Sequence, residues 1–215
     1  MTHFVFPKWS NHLALVVILA VLSTPVYAIV VLYYGGNPKT TDVNYSPKQP
    51  VPYSHALHVG QLGMDCRYCH NTVEVSAHAA IPPTQTCINC HNNIRGQSEK
   101  LVLVRQSIAT GFPVEWVRVH DLPDFVYFNH SAHVQRGVGC VTCHGRVDKM
   151  ELVYQQNTLS MGWCLECHRN PAKYLRPQDK ITQMDWQPEN QEQLGTELIN
   201  VNHIKPSTDC STCHR

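Results

Sequence analysis

Hydrophobic positions are spread unevenly along the chain. From Leu13 to Tyr34 they run for 22 residues without a charged side chain; beyond Tyr34 they are scattered, and no helical or alternating period is sustained. The first stretch predicts a helix of about 33 Å at about 1.5 Å per residue, long enough to cross a bilayer. Trp9 at one end and Tyr33 with Tyr34 at the other suit the two interfaces, and Pro25 is tolerated inside a span as a kink. A cleaved signal peptide is the rival reading, since Val26-Tyr27-Ala28 reads like a small-residue cleavage site. The apolar run continues past Ala28, which favours an uncleaved anchor.

After the anchor, Gly35 to Pro52 is rich in Gly, Pro and polar residues and predicts a linker over 35–52. Leu101 to Ile108 fits a strand or a helical turn equally well. Residues 172–200 are polar apart from isolated positions such as Ile181, Met184 and Leu198, and predict loop and short helix wrapping the surface. The fold class expected is mostly α and coil with little β: one amino-terminal transmembrane helix followed by a loop-rich domain.

Composition changes that picture in one respect. Apolar residues make up 43% of the 215, which looks adequate for a core, but much of that content lies in the anchor. The remainder is poor in Leu, Ile and Phe, so something other than aliphatic side chains must fill its interior. The formal charge of +1 suggests neither nucleic acid nor anionic lipid as a partner.

The cysteines name the missing filler. All ten fall in five copies of Cys-x-x-Cys-His: Cys66, Cys69 and His70; Cys87, Cys90 and His91; Cys140, Cys143 and His144; Cys164, Cys167 and His168; Cys210, Cys213 and His214. This is the attachment motif of c-type haem, in which two thiols add across the porphyrin vinyl groups and the histidine ligates iron. Zinc sites also use Cys-x-x-Cys but need no histidine directly after each pair, and a disulfide framework gives histidine no role. With histidine at roughly one residue in fifteen, five such coincidences are on the order of one in a million. Five covalently bound haem c groups are expected, with His70, His91, His144, His168 and His214 as proximal ligands. The macrocycles would then be the core, and the polypeptide should not fold without them. Since haem attachment takes place outside the cytoplasmic membrane, a single pass would leave the amino terminus cytoplasmic and the haem domain periplasmic.

An internal repeat supplies candidates for the other face of each iron. Ser54-His55-Ala56-Leu57-His58-Val59 aligns with Asn129-His130-Ser131-Ala132-His133-Val134, and each copy precedes two motifs at similar spacings. The domains expected are 1–34 stub and anchor, 35–52 linker, 53–123 first di-haem module with its connector, 124–172 second di-haem module, and 173–215 wrap with the fifth haem. His3 and His12 lie at or across the membrane. His78 is read as a hydrogen-bonded surface or core histidine, His120 as a reserve ligand, and Met161, just before Cys164, as a thioether contender.

The His-x-x-His plus Cys-x-x-Cys-His pattern resembles that of small multihaem cytochromes of the c3 and c7 kind. There the first histidine ligates the haem that follows and the second reaches a neighbouring one. The resemblance implies His55 and His130 on the first and third haems, His58 and His133 crossing to others, and His203 on the fifth.

A wider set of residues, Ile81-Pro-Pro-Thr84 with Thr86-Cys-Ile-Asn-Cys-His91, Val119-His-Asp-Leu-Pro-Asp-Phe-Val-Tyr-Phe-Asn-His130 and Ser160-Met-Gly-Trp-Cys-Leu-Glu-Cys-His-Arg169, resembles the pentahaem subunit of alternative complex III. That resemblance covers nearly the whole chain. It implies a bacterial quinol-oxidising assembly with integral membrane quinol-binding subunits, an iron-sulfur subunit of the molybdopterin-oxidoreductase type and a monohaem cytochrome c. No catalytic site is expected in this chain, because all five motifs end in His and enough further histidines exist to close every iron. The alternative is a stand-alone membrane-anchored quinol dehydrogenase feeding a periplasmic reductase; a third reading is a multihaem enzyme, which would bind carbon monoxide.

Overall fold

A computed structural model describes residues 6–35 and 42–214 of the chain. His3 and positions 36–41 of the expected linker lie outside them. The described residues divide into two units, one ending at Asp42 and one beginning at Val43. In the first, helix α1 runs over Ser10–Gly35 with Pro25 inside it. No charged residue interrupts it, its side chains are exposed from His12 onward, and it is long and apolar enough to cross a membrane. Thr24 Oγ1 donates to the Ala20 carbonyl one turn back, a side-chain bond beside the backbone donor that Pro25 lacks.

The second unit is built from short helices: α2 Cys66–Cys69, α3 Thr84–His91, α4 Val102–Thr110, α5 His130–Val134, α6 Cys140–His144, α7 Met161–Arg169, α8 Gln191–Asn202 and α9 Cys210–Cys213. A π-helical turn occupies Ala56–Gln61. Extended pairing among the described residues is confined to the isolated bridges Val126–His214 and Val138–Leu175, in keeping with the mostly helical expectation. The stretch from Leu101 that the period left undecided is helical. Ser98 caps the turn that leads into it, and Gly111 in the left-handed region (φ 75°) ends it.

The expected linker is only partly one. From Asn44 onward it is bound to the second unit: Asn44 N–H donates to the Gln155 carbonyl at 2.7 Å, and Gln49 exchanges two bonds with the backbone of Val117, at 2.9 and 3.0 Å. Val51 is buried. Composition flagged this stretch because a segment held by backbone bonds rather than apolar burial looks the same as a free one.

Few aliphatic side chains are buried in this unit: Val51, Val73, Val104, Val134, Met150, Leu175, Ile181 and Ile204. Val73, Val134 and Ile181 form one small cluster that ties the first motif, α5 and the carboxy-terminal wrap together. The wrap is more ordered than its polarity suggested. Helix α8 docks on the turn Pro171–Lys173, where Gly195 lets it come so close that a Cβ would strike the Ala172 carbonyl, and Gln191 donates to Ala172 and Leu175.

Candidate haem-binding sites

Each Cys-x-x-Cys pair occupies one helical turn, so its two thiols share a face. In α3 and α7 the motif ends a longer helix; α2, α6 and α9 are little more than the motif. Side-chain caps set two of the starts, Asp65 accepting from Arg67 N–H and Ser160 from Trp163 N–H.

Three pairs of imidazoles face one another across the motifs. The His58 ring lies 6.1 Å from His91 between centroids, His130 lies 6.4 Å from His144 with the rings only 5° from parallel, and His133 lies 6.0 Å from His168. A metal–nitrogen bond of about 2 Å on each side, plus about 1 Å from each nitrogen to its ring centre, places two trans imidazoles roughly 6 Å apart. The three spacings therefore fit an iron between the rings. Burial, with the neighbouring His70 and His58 imidazoles, holds the pKa of His55 down at about 4.

Hydrogen bonds set the tautomers. Nδ1 of His58, His70, His91, His130, His133, His168 and His214 lies at 2.6 to 3.3 Å from a backbone carbonyl: Ser54, Ala80, Ile94, Ala77, Asn129, Ser207 and Phe125 respectively. A carbonyl only accepts, so Nδ1 donates and the lone pair stays on Nε2, the arrangement of a metal-ligating imidazole with its outer-shell partner. His120 differs, since its Nε2 is buried without a hydrogen-bond partner. Its ring stands 4.5 Å from His144, too close for an iron to sit between them.

The repeat is also a repeat of geometry, in a detail that the sequence reading passed over. Tyr53 stacks on His58 (4.4 Å, 21°) and meets His55 edge-on (4.8 Å, 85°); Phe128 stacks on His133 (4.5 Å, 29°) and meets His130 edge-on (4.8 Å, 86°). The signal was there to be read: an aromatic residue stands two positions before the first histidine of both copies. In both, the second histidine's Nδ1 bonds the carbonyl four residues back.

The remaining expected ligands are placed less decisively. His203 is exposed at the left-handed end of α8, and His78 is exposed. Met161 is 66% exposed in the first turn of α7, the helix that carries His168 itself, while the ring facing His168 is that of His133. The His214 ring packs 5.8 Å from Phe125.

Burial dominates the electrostatics. It pushes His144 down to about 3, helped by His120, His130, His70 and His55 around it, and pushes the Cys143 thiol up to about 12.

Paired thiols, imidazoles bonded through Nδ1 to backbone carbonyls and facing rings around a sparse aliphatic core define a multihaem c-type cytochrome. The comparisons agree. Residues 132–215 match the cytochrome c3 family. The menaquinone reductase multihaem cytochrome c subunit of Nitratidesulfovibrio vulgaris is 32% identical over 148 residues, covering 59% of this chain and 70% of that protein. The chain belongs to the family of multihaem cytochrome c subunits to which that relative belongs, with covalently bound haem c.

Proposed function

We propose that the chain is a membrane-anchored pentahaem cytochrome c that relays single electrons between a quinone site in partner membrane subunits and an extracytoplasmic redox partner. The observation that carries this reading is the set of ring pairs at 6.0 to 6.4 Å, a spacing that supports an iron held between two imidazoles at each of the second, third and fourth motifs. A closed iron exchanges electrons and offers no position to substrate. His70 with His55 closes the first in the same reading. For the fifth, His203 and His120 compete to face His214; the His203→Ala and His120→Ala variants separate them, since only the true ligand's loss converts that haem to high spin. Helix α1 serves as the uncleaved anchor, with the amino terminus cytoplasmic and residues 43–215 periplasmic.

The resemblance to alternative complex III supports quinol oxidation, with an iron-sulfur subunit of the molybdopterin-oxidoreductase type, polytopic quinol-binding subunits and a monohaem cytochrome c as partners. A second reading reverses the direction, and the relative's own description as a menaquinone reductase subunit favours it. The test uses the complex purified through this chain. Rapid reduction of its haems by menaquinol, faster than a menaquinone analogue reoxidises them, supports quinol oxidation; the converse supports reduction. Haem inert to both refutes the quinone link.

A further inference from the structure

The contacts between motifs order them in space, and the order is not that of the sequence. Second and first motifs touch through their own side chains, Asn89 Nδ2 donating to Tyr68 Oη at 3.1 Å, while Tyr53 meets His55 edge-on and stacks on His58, which faces His91. First and third share one loop: the Ala80 carbonyl accepts from His70 and the Ala77 carbonyl from His130, whose ring parallels His144. Third and fourth are joined by α5, with His130 facing His144 and His133 facing His168, and by Asn157, which donates to the Thr142 and Cys143 carbonyls just before α7 begins. Fourth and fifth meet where His168 Nδ1 donates to the Ser207 carbonyl, three residues before Cys210.

We propose that the haem sites form one unbranched relay in the order Cys87–His91, Cys66–His70, Cys140–His144, Cys164–His168, Cys210–His214, so that electrons enter and leave at the second and fifth motifs and the sequence's first haem is internal. Exposure agrees independently: Cys90 and Cys210 are the exposed motif cysteines, and the other eight are half-buried. This rests on the five-haem, bis-histidine reading above.

The test marks one haem at a time. His58→Ala opens the second motif's iron and His133→Ala the fourth's; carbon monoxide then holds the opened haem in its ferrous state, and spectroelectrochemical titration shows which other haems shift. An end haem has one neighbour and an inner one has two. The expected result is a midpoint shift in one other haem for His58→Ala and in two for His133→Ala. Two shifted haems for the second motif, or one for the fourth, overturns the order. Where a variant does not accumulate, iron–iron distances from electron cryomicroscopy of the haem-loaded wild-type complex decide instead: the first motif's iron must be closer to the third's than the second motif's iron is. A haem content other than five, or absence of a carbon monoxide complex in both variants, refutes the underlying ligation and is distinguishable from a wrong order.

Discussion

Replacing His133 by alanine tests the crossing arrangement most directly. The ring it removes sits 6.0 Å from His168, is held by its Nδ1 bond to Asn129, and is covered on one face by Phe128. No other side chain stands ready to take its place. His130, one helical turn away, is engaged with His144 at 6.4 Å, and Met161 lies on the helix that approaches the iron from the His168 side. The loss should therefore be complete: one haem in five converted from six-coordinate low spin to five-coordinate high spin, so that about a fifth of the ferric spectrum changes and the high-spin resonance integrates to about one spin per chain. Truncating the half-buried ring also leaves a void beside Phe128, which should cost about 2 to 3 kcal/mol of stability. Electron paramagnetic resonance of the purified variant, with haem content by pyridine haemochrome, reads both the conversion and any haem loss. Five haems with an unaltered low-spin spectrum would show that His133 only packs against its haem, and the crossing geometry would be wrong for both repeats.

Three further outcomes follow from named contacts. Tyr53→Ala and Phe128→Ala each remove an aromatic face stacked on a second histidine, so each should cost about 1 kcal/mol beyond lost burial and change the low-spin g-values of one haem; unchanged g-values in both would deny the stack a positioning role. Asp65 caps α2 and bonds Arg67 and Thr182, which holds its carboxyl down at about 2, below the ordinary carboxylate value; it therefore stabilises the fold above pH 4, and that contribution is lost as pH falls from about 4 towards 2. Asp65→Ala should lower stability at neutral pH by about 1 kcal/mol, with the difference from wild type vanishing in acid thermal melts. Gly195→Val should separate α8 from the Pro171–Lys173 turn at a cost of about 1 to 3 kcal/mol, read by denaturant midpoint, while leaving the haem spectra intact.

The parts of the molecule that were legible in the sequence are those where chemistry fixes residue identity. Cys-x-x-Cys-His is spelled by a covalent reaction, and His-x-x-His by the need to present two imidazoles from one turn. An apolar run of 22 residues has few alternatives to a long helix. What escaped the reading is held by backbone groups, which leave no residue signature: the docking of Asn44 to Val51, the carbonyls of Ala77, Ala80 and Ser207 that orient three imidazoles, and the left-handed turn at Gly111 that resolves the Leu101 stretch as helix. The stacking role of Tyr53 and Phe128 lay between these extremes, since the residues repeat but their ring geometry does not follow from spacing.

The same contrast explains how a chain with so thin an aliphatic core holds a fixed architecture. Two copies of an aromatic–histidine–histidine device do the work that sheets or long helices do elsewhere. In each, the aromatic ring packs against two imidazoles and the backbone carbonyl four residues back fixes the tautomer of the second; in the reading proposed above the two imidazoles serve separate haems. A link of that kind determines the spacing between redox centres directly, because both ligands come from one turn of one chain. Aliphatic packing sets such distances only through many weak contacts, each free to adjust. Electron transfer depends steeply on those spacings, so in the reading proposed above, where paired histidines bridge neighbouring haems and the macrocycles fill the interior, the chain is suited to conduction.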